Sequence, residues 1–167
     1  MNDDEAGATQ LSVNGEARRV ASDPATPLLY VLADELDLKG PRFGCGMAQC
    51  GSCSVLIDGR EVRSCVVPLA SALGKDVVTA EGIARWYSPD STLHPLQDEL
   101  IAAQAPQCGF CYGGMVVKAA ELLAANPAPS RAQIVAHMDG HICRCGTYPR
   151  LLTAIERAAA RMRGETA

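Results

Sequence analysis

Nothing in this chain would carry it to or through a membrane. Its first ten residues, MNDDEAGATQ, are acidic and have neither the basic start nor the apolar run of a secretory signal. No apolar stretch approaches the length of a bilayer span. The expectation is a soluble protein without direct membrane insertion, placed in the cytoplasm, with the periplasm open to it only when a signal-bearing partner exports the assembled complex. Nucleotide motifs are missing as well, since neither a GxGxxG nor a P-loop is present. No Ser/His/Asp grouping and no paired-carboxylate motif stands out, so no catalytic residue is expected and the chain is not expected to turn over a substrate alone. Positive charge is not in excess. The net charge is −4; residues 1–80 carry 11 acidic and 7 basic side chains, and residues 81–167 carry 8 of each, so nucleic acid is not an expected partner. No internal repeat relates one half to the other.

What the chain does have is cysteine, eight in 167 residues. In a secreted mini-protein an even number would suggest disulfides. The missing signal argues against that, because structural disulfides are rare in the cytosol. The stretch Gly44 to Cys65 reads GCGMAQCGSCSVLIDGREVRSC. Its spacing is C-x4-C-x2-C with a fourth cysteine after eleven intervening residues, which is the plant-type 2Fe-2S ligand spacing. Glycines at 44, 46 and 51 suit a loop that turns its amides inward toward an anionic group. Cys45, Cys50, Cys53 and Cys65 are therefore the candidate ligands of a first site. A zinc ribbon would instead show two C-x2-C knuckles.

The other four cysteines are arranged differently. Cys108 and Cys111 stand in QCGFC at the start of one expected helix, and Cys143 and Cys145 stand in CRCG just before another, with 31 residues between Cys111 and Cys143. Helix N-termini favour negative charge. Spacing alone leaves zinc or a second iron-sulfur cluster open here. The neighbouring motif favours the cluster, since paired clusters make an electron relay. The three histidines do not suggest a Rieske centre, as each site already has four thiols. His94 is expected at a helix start, His137 on a helix surface and His141 in a loop beside a cluster.

With 48% apolar and 20% charged residues the composition is that of a globular protein. Each half, at roughly 80 residues, lies near the size at which a core alone is marginal, so bound clusters would also support folding. The pattern predicts a hairpin over 10–20 turning at Asn14-Gly15. It then predicts a helix with Thr26 as cap, Pro27 at its first position and Leu28, Leu29, Leu32 and Leu36 on its apolar face. Strands follow at 54–57, 61–67 and 77–79, the first two joined by an Asp58-Gly59 turn. Residues 85–92 read as a connection, with Trp86 and Tyr87 packing between domains. Helices are expected at about 94–103 after a Ser91 or Thr92 cap, at 114–125, from Ser130 with a Gln133 capping box, and at 149–163. The result is an α+β protein of two unlike domains, 1–82 and 83–167, the second a small helical bundle. Pattern alone leaves several topologies open for the first; analogy with its cysteine motif selects the β-grasp arrangement.

The motifs GCGMAQCGSC, QCGFC and GHICRCGTYPR, in that order and at these separations, resemble the small iron-sulfur subunit of the molybdenum hydroxylases. The likeness runs from about Gln10 to Ala158 and is nearest in motif to the isoquinoline, nicotinate and aldehyde dehydrogenase types. It implies a β-grasp ferredoxin-like domain followed by a four-helix-bundle 2Fe-2S domain, hence two 2Fe-2S clusters. It further implies a large partner subunit that holds the molybdopterin cofactor, contacted from this chain by Gln107 and Cys145. Electrons would pass from that cofactor to the cluster of Cys108, Cys111, Cys143 and Cys145, then to the cluster of Cys45, Cys50, Cys53 and Cys65, and out to a flavin subunit or a cytochrome. One departure is the sequence after Cys111, Tyr112-Gly113-Gly114, where many relatives have a CTPG-like segment; it leaves the ligands intact but not the local contacts of Tyr112. The alternatives are a free-standing two-cluster ferredoxin and a zinc-stabilised interaction module.

Overall fold

The chain begins with a hairpin whose turn dictates its register. In the computed structural model, which describes residues 8–165, strands β1 (Thr9–Val13) and β2 (Glu16–Val20) pair antiparallel with Val13 opposite Glu16. Asn14 and Gly15 between them take φ of 55° and 79°, the left-handed pair a two-residue hairpin needs. The acidic start at residues 1–7 lies outside the described residues. Helix α1 (Leu28–Tyr30) continues as a π-helical turn over Val31–Glu35. Pro27 is its N-cap rather than its first residue, and no side chain, that of Thr26 included, bonds the cap. The helix ends before Asp37, which takes a φ of 55°.

Three more strands complete the sheet: β3 (Ser54–Ile57), β4 (Arg60–Arg63) and β5 (Asp76–Val78). The strand order is β2-β1-β5-β3-β4, with β1 and β5 parallel and the other pairs antiparallel. The partner of β3 stops at Arg63 instead of running on to Val67, because Ser64 turns back to bond Cys53 and places Cys65 under the loop. All four residues of β3 are buried. Side chains alternate across a strand, so both faces must be covered. Val55 and Ile57 meet the α1 leucines on one face, and Leu56 with Val78 belongs to the core of the helical half on the other.

Residues 83–87 are not a bare connection. They form a short helix α2 (Ile83–Tyr87), with Ile83 fully buried and Trp86 packed against the helical core. Helix α3 (Pro95–Ala102) is capped not by Ser91 or Thr92 but by His94. The His94 Nδ1 accepts from the Leu96 amide at 2.9 Å, and Gln97 returns a bond to the His94 amide at 2.8 Å. Helix α4 (Tyr112–Ala125) starts two residues earlier than its periodicity predicts, directly after Cys111. Nine of its fourteen residues are buried, since it packs on β3, β4, α2, α3 and the helix that follows. That helix, α5 (Arg131–Met138), carries the expected Ser130/Gln133 capping box, and α6 (Tyr148–Met162) closes the described chain against α3 and α5. No helix among the described residues is long and apolar enough to cross a membrane.

Candidate metal centres

The first cysteine site is a loop folded around one sulfur. Cys45 Sγ accepts from the amides of Met47 at 3.5 Å, Gln49 at 3.3 Å and Cys50 at 3.3 Å, and the Cys45 amide reaches Cys50 Sγ at 3.4 Å. Gly46 and Ala48 adopt φ of 69° and 60°, which turns successive N–H groups to the same side and makes an anion-binding nest. The Met47 amide is the main reason why Cys45 is drawn down to about 6, favouring its thiolate. A Cβ on Gly44 would lie 2.7 Å from Cys50 Sγ, so glycine is what leaves that thiol its place. Cys53 and Cys65 form the inner side of the site, buried together against Leu29 of α1. Burial pushes Cys53 up to about 11.

The second site is assembled from two distant segments. Cys111 is the N-cap of α4, and Cys143 and Cys145 precede Thr147, the N-cap of α6. Cys145 Sγ and Cys108 Sγ are 3.5 Å apart, and Cys111 interacts with Cys143. Burial raises Cys111 to about 12, while the Phe110 amide lowers Cys108. Burial also opposes ionisation of Cys143, but the backbone N–H and hydroxyl of Thr147 outweigh it and leave the thiol at about 7. Tyr112, whose contacts the sequence left open, is buried with its hydroxyl 2.8 Å from Thr147 Oγ1, and so ties the start of α4 to that of α6. Tyr148 accepts from the Cys143 amide at 2.8 Å and donates to the His141 carbonyl at 2.6 Å. Gln107 and Cys108 are exposed at the outer edge of this site, next to Phe110; Ile142 is exposed beside Cys143.

The thiols fit a two-iron cluster better than a single ion. Within each set the cysteines are joined two by two through different contacts: the Cys50 amide donates to Cys45 Sγ, Cys53 packs with Cys65, Cys111 interacts with Cys143, and Cys108 Sγ lies 3.5 Å from Cys145 Sγ. A 2Fe-2S cluster has two irons and takes two thiolates on each, whereas zinc draws four ligands to one point. Among the described residues no three His, Cys, Asp or Glu side chains are gathered as one metal ion would need.

The two sites adjoin. The Ile142 amide donates to the Cys50 carbonyl at 2.9 Å, and a Cβ on Gly114 of α4 would collide with the Gly51 carbonyl. Sequence reasoning missed what fills this seam. His141 is buried, 3.1 Å from Ser54 Oγ and 2.7 Å from Arg63 Nη1. Burial, reinforced by Arg63, pushes its imidazole down to about 3, so the ring is neutral. No pattern could have paired Arg63 with a residue 78 positions away; the only available cue was that each stands two residues before a cysteine. His137 is not a bare surface residue either, as it contacts the Lys118 carbonyl and Glu121.

Both cysteine-bearing segments match known iron-sulfur families. Residues 11–83 match the 2Fe-2S iron-sulfur cluster binding domain, and residues 79–156 match the 2Fe-2S binding domain. The chain is 46% identical over 149 residues to a nicotinate dehydrogenase subunit of Pseudomonas putida, covering 89% of this chain and 92% of that protein. It is 47% identical over 148 residues to the alpha subunit of isoquinoline 1-oxidoreductase from Brevundimonas diminuta, covering 88% and 94%. In the crystal structure of quinoline 2-oxidoreductase from Pseudomonas putida 86, a chain 38% identical superposes with a TM-score of 0.83, over 95% of this chain and 98% of that one. The chain belongs to the small 2Fe-2S subunits of the molybdenum hydroxylase family.

Proposed function

We propose that this chain is the electron-transfer subunit of a molybdenum-dependent hydroxylase or dehydrogenase that oxidises an N-heteroaromatic or aldehyde substrate on a large partner subunit. The observation that carries the reading is the junction of two four-thiol sites in one chain, bridged by the hydrogen bond from Ile142 to Cys50. Cys45, Cys50, Cys53 and Cys65 would hold one 2Fe-2S cluster, and Cys108, Cys111, Cys143 and Cys145 the other. When bound, the clusters supply one-electron redox chemistry. The protein's part is to hold the thiols, aim the amides of Met47, Gln49 and Cys50 at Cys45, and keep water from Cys53, Cys65 and Cys111.

The direction is the one the family resemblance implies. Gln107 and Cys145 would meet the molybdopterin cofactor, and the exposed Phe110 and Ile142 beside them form an apolar surface for the large subunit to cover. The first site would then be the exit, toward a flavin subunit or a cytochrome. The halves 1–82 and 83–167 are read as a β-grasp ferredoxin-like domain and a four-helix bundle of α3 to α6, working in the cytoplasm or, with an exported partner, in the periplasm. Purification from the native host tests the reading. A stable complex with a large molybdenum-containing chain is the expected result, and an isolated monomeric carrier would contradict it.

A further inference from the structure

A buried polar network joins the two cysteine sites, and none of its members is a candidate ligand. Arg63 Nη1 lies 2.8 Å from Glu61 Oε1, 2.5 Å from Ser54 Oγ and 2.7 Å from His141 Nε2, while Nη2 reaches the Gly140 carbonyl at 3.4 Å. A guanidinium can only donate, which assigns the acceptor role to His141 Nε2. A Cβ on Gly51 would collide with the His141 ring and lie 2.8 Å from Arg63 Nη1, so ring and guanidinium both rest on the loop between Cys50 and Cys53. Glu61 is itself held. Its amide donates to Glu121 Oε1 at 2.8 Å, and Lys118 Nζ stands 3.7 Å from Glu61 Oε2 and 2.7 Å from Glu121 Oε2. The side chains of Arg63 and Glu61 are only 17% and 9% exposed and His141 is 2% exposed, so the contacts operate away from solvent screening.

We infer that Arg63 is a positioning residue, whose guanidinium, oriented by Glu61, holds His141 against Gly51 and so fixes the Cys50–Cys53 segment relative to the Cys143–Cys145 segment, setting the electronic coupling between the clusters they carry. The inference rests on the functional reading above. Its placement gives it reach in both directions. Arg63 is two residues before Cys65, and His141 is two residues before Cys143 and one before Ile142, whose amide makes the bond to Cys50. The step it governs moves one electron from one cluster to the other, with no bond made or broken and no proton transferred. Nη1 faces Ser54, Glu61 and His141 Nε2 while Nη2 faces the Gly140 carbonyl and His141 Nδ1, a two-nitrogen span that a lysine ammonium, one donor centre, keeps in charge but not in geometry. The cation also stands beside both loops, where it favours the more negative, reduced state of either cluster.

The test uses the native complex carrying both clusters, as wild type, Arg63→Gln and Arg63→Lys. Electron paramagnetic resonance of the reduced protein reads the spin–spin splitting between clusters, a redox titration reads their potentials, and rapid reduction reads the cluster-to-cluster rate. Both variants should keep both cluster signals. Arg63→Gln should lose the splitting, slow the transfer and lower the reduced-to-oxidised ratio at fixed solution potential by about tenfold, equivalent to ~59 mV for a one-electron couple. Arg63→Lys should restore the potentials but not the splitting, a separation that a purely structural role would not produce. If Arg63→Gln does not accumulate, His141→Asn, which removes the ring but not the cation, should lose the splitting with the potentials kept. Unchanged splitting and rate in these variants would overturn the inference while leaving the functional reading intact; absence of two clusters from the wild-type complex would overturn both.

Discussion

The two cysteine sites differ in how their thiols are gathered. The first takes three thiols from one ten-residue stretch and the fourth from the turn after β4, and its nest is built from neighbouring amides. The second takes two thiols from the approach to α4 and two from the approach to α6, and depends on Tyr112, Thr147 and Tyr148 to bring those helix starts together. Local backbone shapes the one; packing of the helical half shapes the other. Yet both keep a buried side and an outer side. Cys53 and Cys111 are pushed up by burial, and Cys45 and Cys108 are drawn down by amide bonds. What they share is a gradient of solvation across four sulfurs, and what separates them is how far along the chain the gradient is assembled.

The two sites are most vulnerable together where the halves touch. Gly114→Val would drive a side chain into the Gly51 carbonyl. We expect a destabilisation of about 3 kcal/mol, at the upper end for overpacking, with both clusters lost together in urea unfolding followed by circular dichroism and visible absorbance. Next come the thiols. Cys65→Ser should remove half the iron and also weaken the fold by about 2 kcal/mol, because Cys65 is packed with Cys53 and Leu29. Cys108→Ser, at an exposed thiol, should remove the other half of the iron and leave the unfolding of the first half within about 0.5 kcal/mol of wild type.

A pH experiment sharpens the helical side. Burial holds His94 down at about 4, with Asp98 opposing, while the unfolded residue titrates near 6.5. Between those values the unfolded chain binds the extra proton, so stability falls as pH drops through that window, by up to about 1.4 kcal/mol per pH unit, and its contribution is full above it. His94→Asn keeps a competent N-cap without a titrating group. The difference between the two proteins from pH 7 to pH 4 should show that slope; parallel curves would exclude the assignment. Ser130→Ala, which removes the bond to the Gln133 amide, should cost about 1 kcal/mol without touching either cluster.

Legibility in the sequence followed the same divide. The Asn14-Gly15 hairpin, the Ser130 capping box and the first cysteine loop were readable because their causes lie within a few residues. Helix α2 reads as connection in the sequence because Pro89 and the serines around it outweigh a single apolar turn, whose burial of Ile83 is tertiary. Ser91 and Thr92 look like the cap of α3 in the sequence, yet His94 is better placed, directly before Pro95. All eight cysteines were legible as candidates. The Arg63–His141 seam was not, since its members are unremarkable in their own segments and gain a role only when β4 meets the loop before α6.

Whether one chain holds two distinct clusters is decided by electron paramagnetic resonance of the reduced holoprotein, with Cys65→Ser and Cys143→Ser alongside wild type. Wild type should hold about four irons per chain and show two different 2Fe-2S signals. Cys65→Ser should delete one signal, and Cys143→Ser only the other, with turnover to the external acceptor abolished. A colourless zinc protein, or a Cys143→Ser variant with full turnover, would contradict the account.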